Sequence, residues 1–175
     1  MRTLFLSGLL ITHFFSYSQT ALPYVKGEHS EFIIYFGPIN VGYAEMKILE
    51  TPSAKTKNTV HITGEGRTSY FFDWFFKVRD FYETIIDTSS LLPLRFNRNV
   101  NEGGHVIKQE YNFFHEQNIV KTQDDTTFNI PNNVQDMFSA LFYARTFKKT
   151  DLKKTKSFFI PIFMDNENYF LKIEY

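Results

Sequence analysis

Beyond the first eighteen residues the histidines of this chain are His29, His61, His105 and His115. A metal site needs imidazoles or carboxylates converging within bonding distance, and no two of these stand i, i+4 on a helix. His105 and His115 share one face of a strand, yet ten residues at about 3.3 Å each set them roughly 33 Å apart. No metal and no cofactor is therefore expected. There is no Gly-x-Ser-x-Gly elbow, and Gly64-Glu65-Gly66 lacks the third glycine of a dinucleotide fingerprint. With no cysteine, a thiol nucleophile and a thiolate metal site are both excluded. No catalytic residue can be assigned, and an enzyme is the weakest of the functional classes.

Two other features could act. Strand parity puts Asp80 beside Val78 and Tyr82 on an apolar face, where an unpaired carboxylate is costly. Arg98, which shares parity with Leu94 and Phe96, is its candidate partner. A buried structural Asp80–Arg98 pair is expected ahead of a catalytic acid, because nothing nearby supplies a nucleophile. The second feature is SYFFDWFFKVRDFYETIID, residues 69–87, with Tyr70, Phe71, Phe72, Trp74, Phe75 and Phe76 almost in succession. Such rings can line a site for an apolar ligand, hold a protein on a membrane, or fill a core. Phe71, Phe72, Phe75 and Phe76 stand at i, i+1, i+4 and i+5, one face of a short helical turn, before the period changes to two at Val78.

The elements that must position these side chains are mostly strands. Glu31 to Phe36, a turn at Gly37-Pro38-Ile39-Asn40, and Val41 to Glu50 read as a hairpin. In the second strand Gly42, Ala44, Met46 and Ile48 share one face, and over Thr59 to Thr68 Val60, Ile62, Gly64 and Gly66 do the same. That is the inward face, yet Gly42, Ala44, Gly64 and Gly66 strip bulk from it, so another element must approach there. With Phe72, Trp74 and Phe76 these four form the candidate lining of an apolar ligand site. Added bulk at Gly64 or Gly66 should then be resisted. Leu94 to Val100, a turn at Asn101-Glu102-Gly103-Gly104, and His105 to His115 make a second hairpin, followed by short strands near Ile119 to Gln123 and Phe128. Val134 to Phe147 is the main helix, with Asn133 and Asp136 as its capping residues. Phe158 to Met164 and Tyr169 to Tyr175 flank a last turn at Asp165-Asn166-Glu167. The fold class is mostly β: a curved antiparallel sheet or open half-barrel with one main helix on its concave face.

Composition bounds the rest. A length of 175 residues suits one domain, and 21 Phe against 4 Met and 1 Trp favour strands. Nineteen Lys plus Arg against nineteen Asp plus Glu leave no net field to gather nucleic acid, which is set aside as a partner. Arg145 to Lys156 is locally basic; it could meet anionic headgroups, but interrupted by Asp151 and without an apolar stripe it reads better as a solvated helix end. Arg2, the apolar run Leu4 to Ile11, and small residues at Ser16 and Ser18 read as a secretory signal over residues 1–18, cut before Gln19. The mature chain then carries 18 − 19 = −1 formal charges. An uncleaved anchor is disfavoured, since a span needs about 20 apolar residues and Thr12 and His13 break this run. The expected location is the periplasm or medium, with no transmembrane segment after cleavage. Residues 19–175 form one β-rich domain whose last strand stops on Leu171, Ile173 and Tyr175 without a polar tail, as in a chain truncated at its C-terminal end.

The phrases YFGPINVGYAEM, TSYFFDWFFKVRDFYETIID, LLPLRFNRNVNEGGHVIKQEYNF and NNVQDMFSALFYAR resemble a family of exported bacterial proteins known as domain of unknown function 3108. The resemblance implies a sheet curving around a helix, similar to the half-barrels of periplasmic lipoprotein carriers, with a further C-terminal strand region. It brings no catalytic residues. Two functions compete: a non-enzymatic binding module for a lipid-like molecule or a lipidated protein, and an envelope interaction module whose rings close an aromatic core. They part on whether the space above Gly42, Ala44, Gly64 and Gly66 is filled.

Overall fold

The computed structural model describes residues 23–49 and 58–174. Residues 1–18, read from the sequence as a secretory signal, and most of the polar loop after Glu50 lie outside these. Eight strands form one sheet in sequence order: β1 (His29–Phe36), β2 (Ile39–Leu49), β3 (Thr59–Thr68), β4 (Val78–Asp87), β5 (Pro93–Glu102), β6 (His105–Phe114), β7 (Ile119–Thr122) and β8 (Thr127–Asn129). Every neighbouring pair is antiparallel. β1 and β8 are edges, so the sheet is open, as the mostly β, curved-sheet reading requires.

The inward face follows the parity read from the alternation. Ile48, Ile62, Thr84, Phe96 and Tyr111 stand directly opposite one another across five strands, and all are buried. They are covered by the helix α1 (Met137–Ala144) and by the strand β9 (Ser157–Met164), which pairs with β10 (Glu167–Glu174) in a separate hairpin. Phe96 stacks on Tyr111, and Phe163 of β9 meets Tyr111 edge-on at 5.0 Å. The two-residue turn Asp165-Asn166 joins β9 to β10 with both residues at positive φ, as a tight hairpin connection of that length demands.

The main helix is shorter than its apolar pattern suggests. Asn133 takes a positive φ of 57° and stops any helix at that point. Gln135 then lies extended, pairing with Ile162 of β9 through Gln135 N to Pro161 O and Phe163 N to Gln135 O. Asp136 itself is the cap. Its Oδ1 accepts from the backbone N–H groups of Phe138 and Ser139, while Ser139 Oγ accepts from the Asp136 N–H, a reciprocal capping box. The basic run forms a second, exposed helix, α2 (Lys149–Thr155). Among the described residues no helix is long and apolar enough to cross a membrane.

Candidate functional site

The aromatic stretch does not cover the small-residue face. It closes the β3–β4 hairpin as a tight turn whose backbone is wound once: the N–H groups of Phe72 and Asp73 donate to Ser69 O, and those of Phe75 and Phe76 donate to Phe72 O. Asp73 fixes this turn. Its carboxylate accepts from both terminal nitrogens of Arg79, at 3.0 and 2.5 Å, and from Thr68 Oγ1 at 2.6 Å. Thr68 Oγ1 in turn accepts from the Val78 N–H, so one hydroxyl ties both stems of the hairpin together. The Arg79 guanidinium and the Thr68 hydroxyl hold the Asp73 carboxyl down at about 2.

This clamp displays rings to solvent. Tyr70 is 94% exposed, Phe71 71%, Trp74 79% and Phe75 76%. Phe72 is half-buried and meets Phe71 edge-on at 5.3 Å. Phe76 leans across the β5–β6 turn, where a Cβ on Gly103 would come within 2.4 Å of its ring. The β1–β2 turn opens at the same end of the sheet, because Gly42 faces Thr68 and Val78 faces Glu102 in register. Phe36, exposed at that turn, therefore adds to the same apolar rim.

The four small residues divide. A Cβ on Gly64 would stand 2.2 Å from Cζ of Phe138, a ring from α1 that stacks on Tyr82 at 5.2 Å. Phe138 thus fills the space above Gly64. A Cβ on Gly42 would meet the Arg67 carbonyl at 2.6 Å, a close approach of the neighbouring strand. Gly66 is different, for a Cβ there would find only the Asp80 side chain at 3.7 Å. Resistance to bulk is therefore expected at Gly64 and not at Gly66. Gly42, Ala44, Gly64, Gly66, Phe72, Trp74 and Phe76 do not line one cavity: Phe138 of α1, a ring from far along the chain, closes the core, and the turn rings point away.

The direct Asp80–Arg98 pair is not formed. Arg98 donates to Asp165 of the β9–β10 turn at 2.9 Å and to Gln109 Oε1, and Asp80 accepts from the Asn101 N–H at 3.2 Å. In register Asp80 faces Val100, which makes Arg98 a diagonal neighbour, and Asp165 reaches it from above. Burial raises the Asp80 carboxyl above its ordinary range, and Arg98 offsets this only through space.

A groove of about 730 Å³ lies on the opposite face of the sheet. Tyr43, Glu45, Glu65, Arg67, Arg79 and Phe81 rise from it, alternating with Ala44, Gly66 and Asp80, whose backbone forms the floor. Arg67 lies over the Tyr43 ring at 5.2 Å. At one end the ligand atoms of His29, Glu31 and Glu45 stand within 4.8 Å of one another, the described cluster with metal-binding geometry. Lys47 Nζ already holds Glu45 at 2.7 Å and supplies the positive charge there. Comparing histidines with one another could not find this cluster, since its members meet across β1 and β2. The groove was missed for the same reason: its charged rows exist only once register is known.

One family model matches residues 31–175 and is described as a protein of unknown function (DUF3108). No curated protein and no solved structure matches the chain. The match runs from β1 through β10, across both the aromatic turn and the groove, and the chain belongs to the DUF3108 family.

Proposed function

We propose that the chain is a non-enzymatic, exported protein of the cell envelope that docks on a lipid surface through the turn at residues 70–76. The observation that carries this reading is the exposure of Tyr70, Phe71, Trp74 and Phe75 on a turn that the Asp73–Arg79 clamp keeps ordered. Clustered exposed rings of this size mark an interaction site, and Trp and Tyr prefer the boundary between water and hydrocarbon. Burial contributes about 2 kcal/mol per ring. Four rings therefore supply about 8 kcal/mol before any cost of binding. Since the turn is ordered beforehand, little of this is spent on ordering it.

The alternative is a module that contacts another protein of the envelope. The filled space above Gly64 favours it over a carrier that encloses its ligand. Co-sedimentation with phospholipid vesicles separates the two. The wild-type protein should pellet with vesicles, and a variant carrying Ser at Tyr70, Phe71, Trp74 and Phe75 should stay in solution at an unchanged melting temperature. Equal pelleting of both, or of neither, would refute lipid docking.

A further inference from the structure

The outward face beside the aromatic turn carries two rows of like charge. Glu31 stands opposite Glu45, and Glu45 opposite Glu65, across three adjacent strands. One step nearer the turn, Arg67 stands opposite Arg79. Like charges directly opposite in a sheet are destabilising, and here they recur in two neighbouring rows of opposite sign. The rows are not cancelled by pairing with each other. The ion pairs on this face are His29–Glu31, His29–Glu45, Lys47–Glu45, His61–Glu83, Arg95–Glu110 and Arg79–Asp73; among the described residues neither Glu65 nor Arg67 is in direct ionic contact, and Lys47 acts on Glu65 only through space. Both line the groove, on one face of β3 and two residues apart, or roughly 7 Å along the strand.

The geometry points to a zwitterionic phospholipid headgroup as the occupant of this groove, its phosphate at Arg67 and its ammonium at Glu65. A phosphate and an ammonium joined by two carbons match a guanidinium and a carboxylate so placed. Tyr43, which the Arg67 guanidinium overlies, and Phe81 line the same groove and give its walls apolar surface for the carbons between. Arg67 adjoins Thr68, the residue that anchors the aromatic turn, so a lipid whose headgroup lay in the groove would send its chains towards the rim of exposed rings. This inference rests on the lipid-docking reading and adds to it a choice among lipids.

The test uses the full mature chain with vesicles of phosphatidylethanolamine and phosphatidylcholine, vesicles of phosphatidylglycerol, and soluble phosphoethanolamine. Wild-type protein should bind the zwitterionic vesicles about tenfold more tightly than the anionic ones, the gain expected of a charge-assisted contact. Arg67→Glu should weaken binding to the zwitterionic vesicles about tenfold, and Glu65→Lys should reverse the preference in favour of phosphatidylglycerol. Both sites are exposed, so circular dichroism should show the fold intact. Equal binding to the two kinds of vesicle by wild-type protein that the four-Ser variant loses would overturn the headgroup site and leave aromatic docking standing. Soluble phosphoethanolamine binding as tightly as the vesicles would assign the groove to a free zwitterion and overturn the lipid source. Absence of binding in all three arms would overturn both readings.

Discussion

Adding one carbon at position 64 sets β3 against α1. The new Cβ of Gly64→Ala would lie 2.2 Å from Cζ and 2.3 Å from Cε1 of Phe138, where carbon atoms rest at about 3.5–4.0 Å. The ring must withdraw by more than an ångström. It cannot swing freely, being buried and stacked on Tyr82 at 5.2 Å with an interplanar angle of 24°. Overpacking of this kind costs about 1–3 kcal/mol, and a loss near 2 kcal/mol lowers the melting temperature of a chain this size by roughly 4–8 °C. Gly66→Ala is the internal control. Its Cβ meets Asp80 at 3.7 Å, an ordinary contact, and the stiffer unfolded chain should stabilise the protein by about 0.5 kcal/mol. Thermal melts followed by circular dichroism decide the matter. A double-mutant cycle with Phe138→Leu should recover at least about 1 kcal/mol of the Gly64→Ala loss, because the shorter side chain vacates the contested space. Equal losses at positions 64 and 66, or simple additivity with Phe138→Leu, would refute the reasoning.

Asp136 is fully buried, and burial pushes its carboxyl up to about 6 although Thr84, Phe138 and Ser139 all hydrogen-bond it. A raised acid favours folding fully below its unfolded value of 3.8 and loses that contribution as pH climbs through about 6. The rise from 3.8 to about 6 amounts to roughly 3 kcal/mol. Urea titrations at pH 3 and pH 7 should show wild type losing that much relative to Asp136→Asn, and parallel curves would contradict it. Thr68→Val removes the hydroxyl that ties Asp73 to the Val78 N–H without altering charge, so amide exchange at Phe75, Phe76 and Val78 should quicken while core amides in β4 stay protected. Uniform acceleration, or none, would show that the clamp does not govern the turn. Sequencing the mature N-terminus from exported protein should give Gln19, and intact Met1 would argue against export by a cleaved signal.

Much of the sheet was legible because alternation is local. Gly42, Ala44, Met46 and Ile48, then Val60, Ile62 and Gly64, declare an inward face within two stretches of chain, and the burial of Ile48, Val60 and Ile62 agrees with it. What closes that face was not legible, since Phe138 lies far along the chain and nothing in its own neighbourhood marks it as the ring over Gly64. Proximity in sequence favoured Phe72 and Phe76 instead. Their neighbour Asp73 held the contrary signal: a carboxylate amid six rings suits a turn clamped by Arg79 better than a core. Asp80 and Arg98 share a face as parity requires, but parity is blind to Asp165, which a two-residue turn delivers from β9 and β10. The charged rows at Glu31, Glu45 and Glu65 and at Arg67 and Arg79 depend on register across β1 to β4, which hydrophobic alternation leaves open by steps of two.

Trp74 is the only tryptophan in the chain and stands at the centre of the exposed rings, so its fluorescence reports on docking without a label. The most direct measurement of the central claim is quenching of Trp74 by phospholipids brominated at successive depths along the acyl chain. Insertion of the turn predicts a blue-shifted emission on adding vesicles and strongest quenching by bromines nearest the headgroup, where an indole settles. Emission unmoved by vesicles, with no quenching at any depth, would contradict lipid docking and return the exposed rings to a contact with another protein.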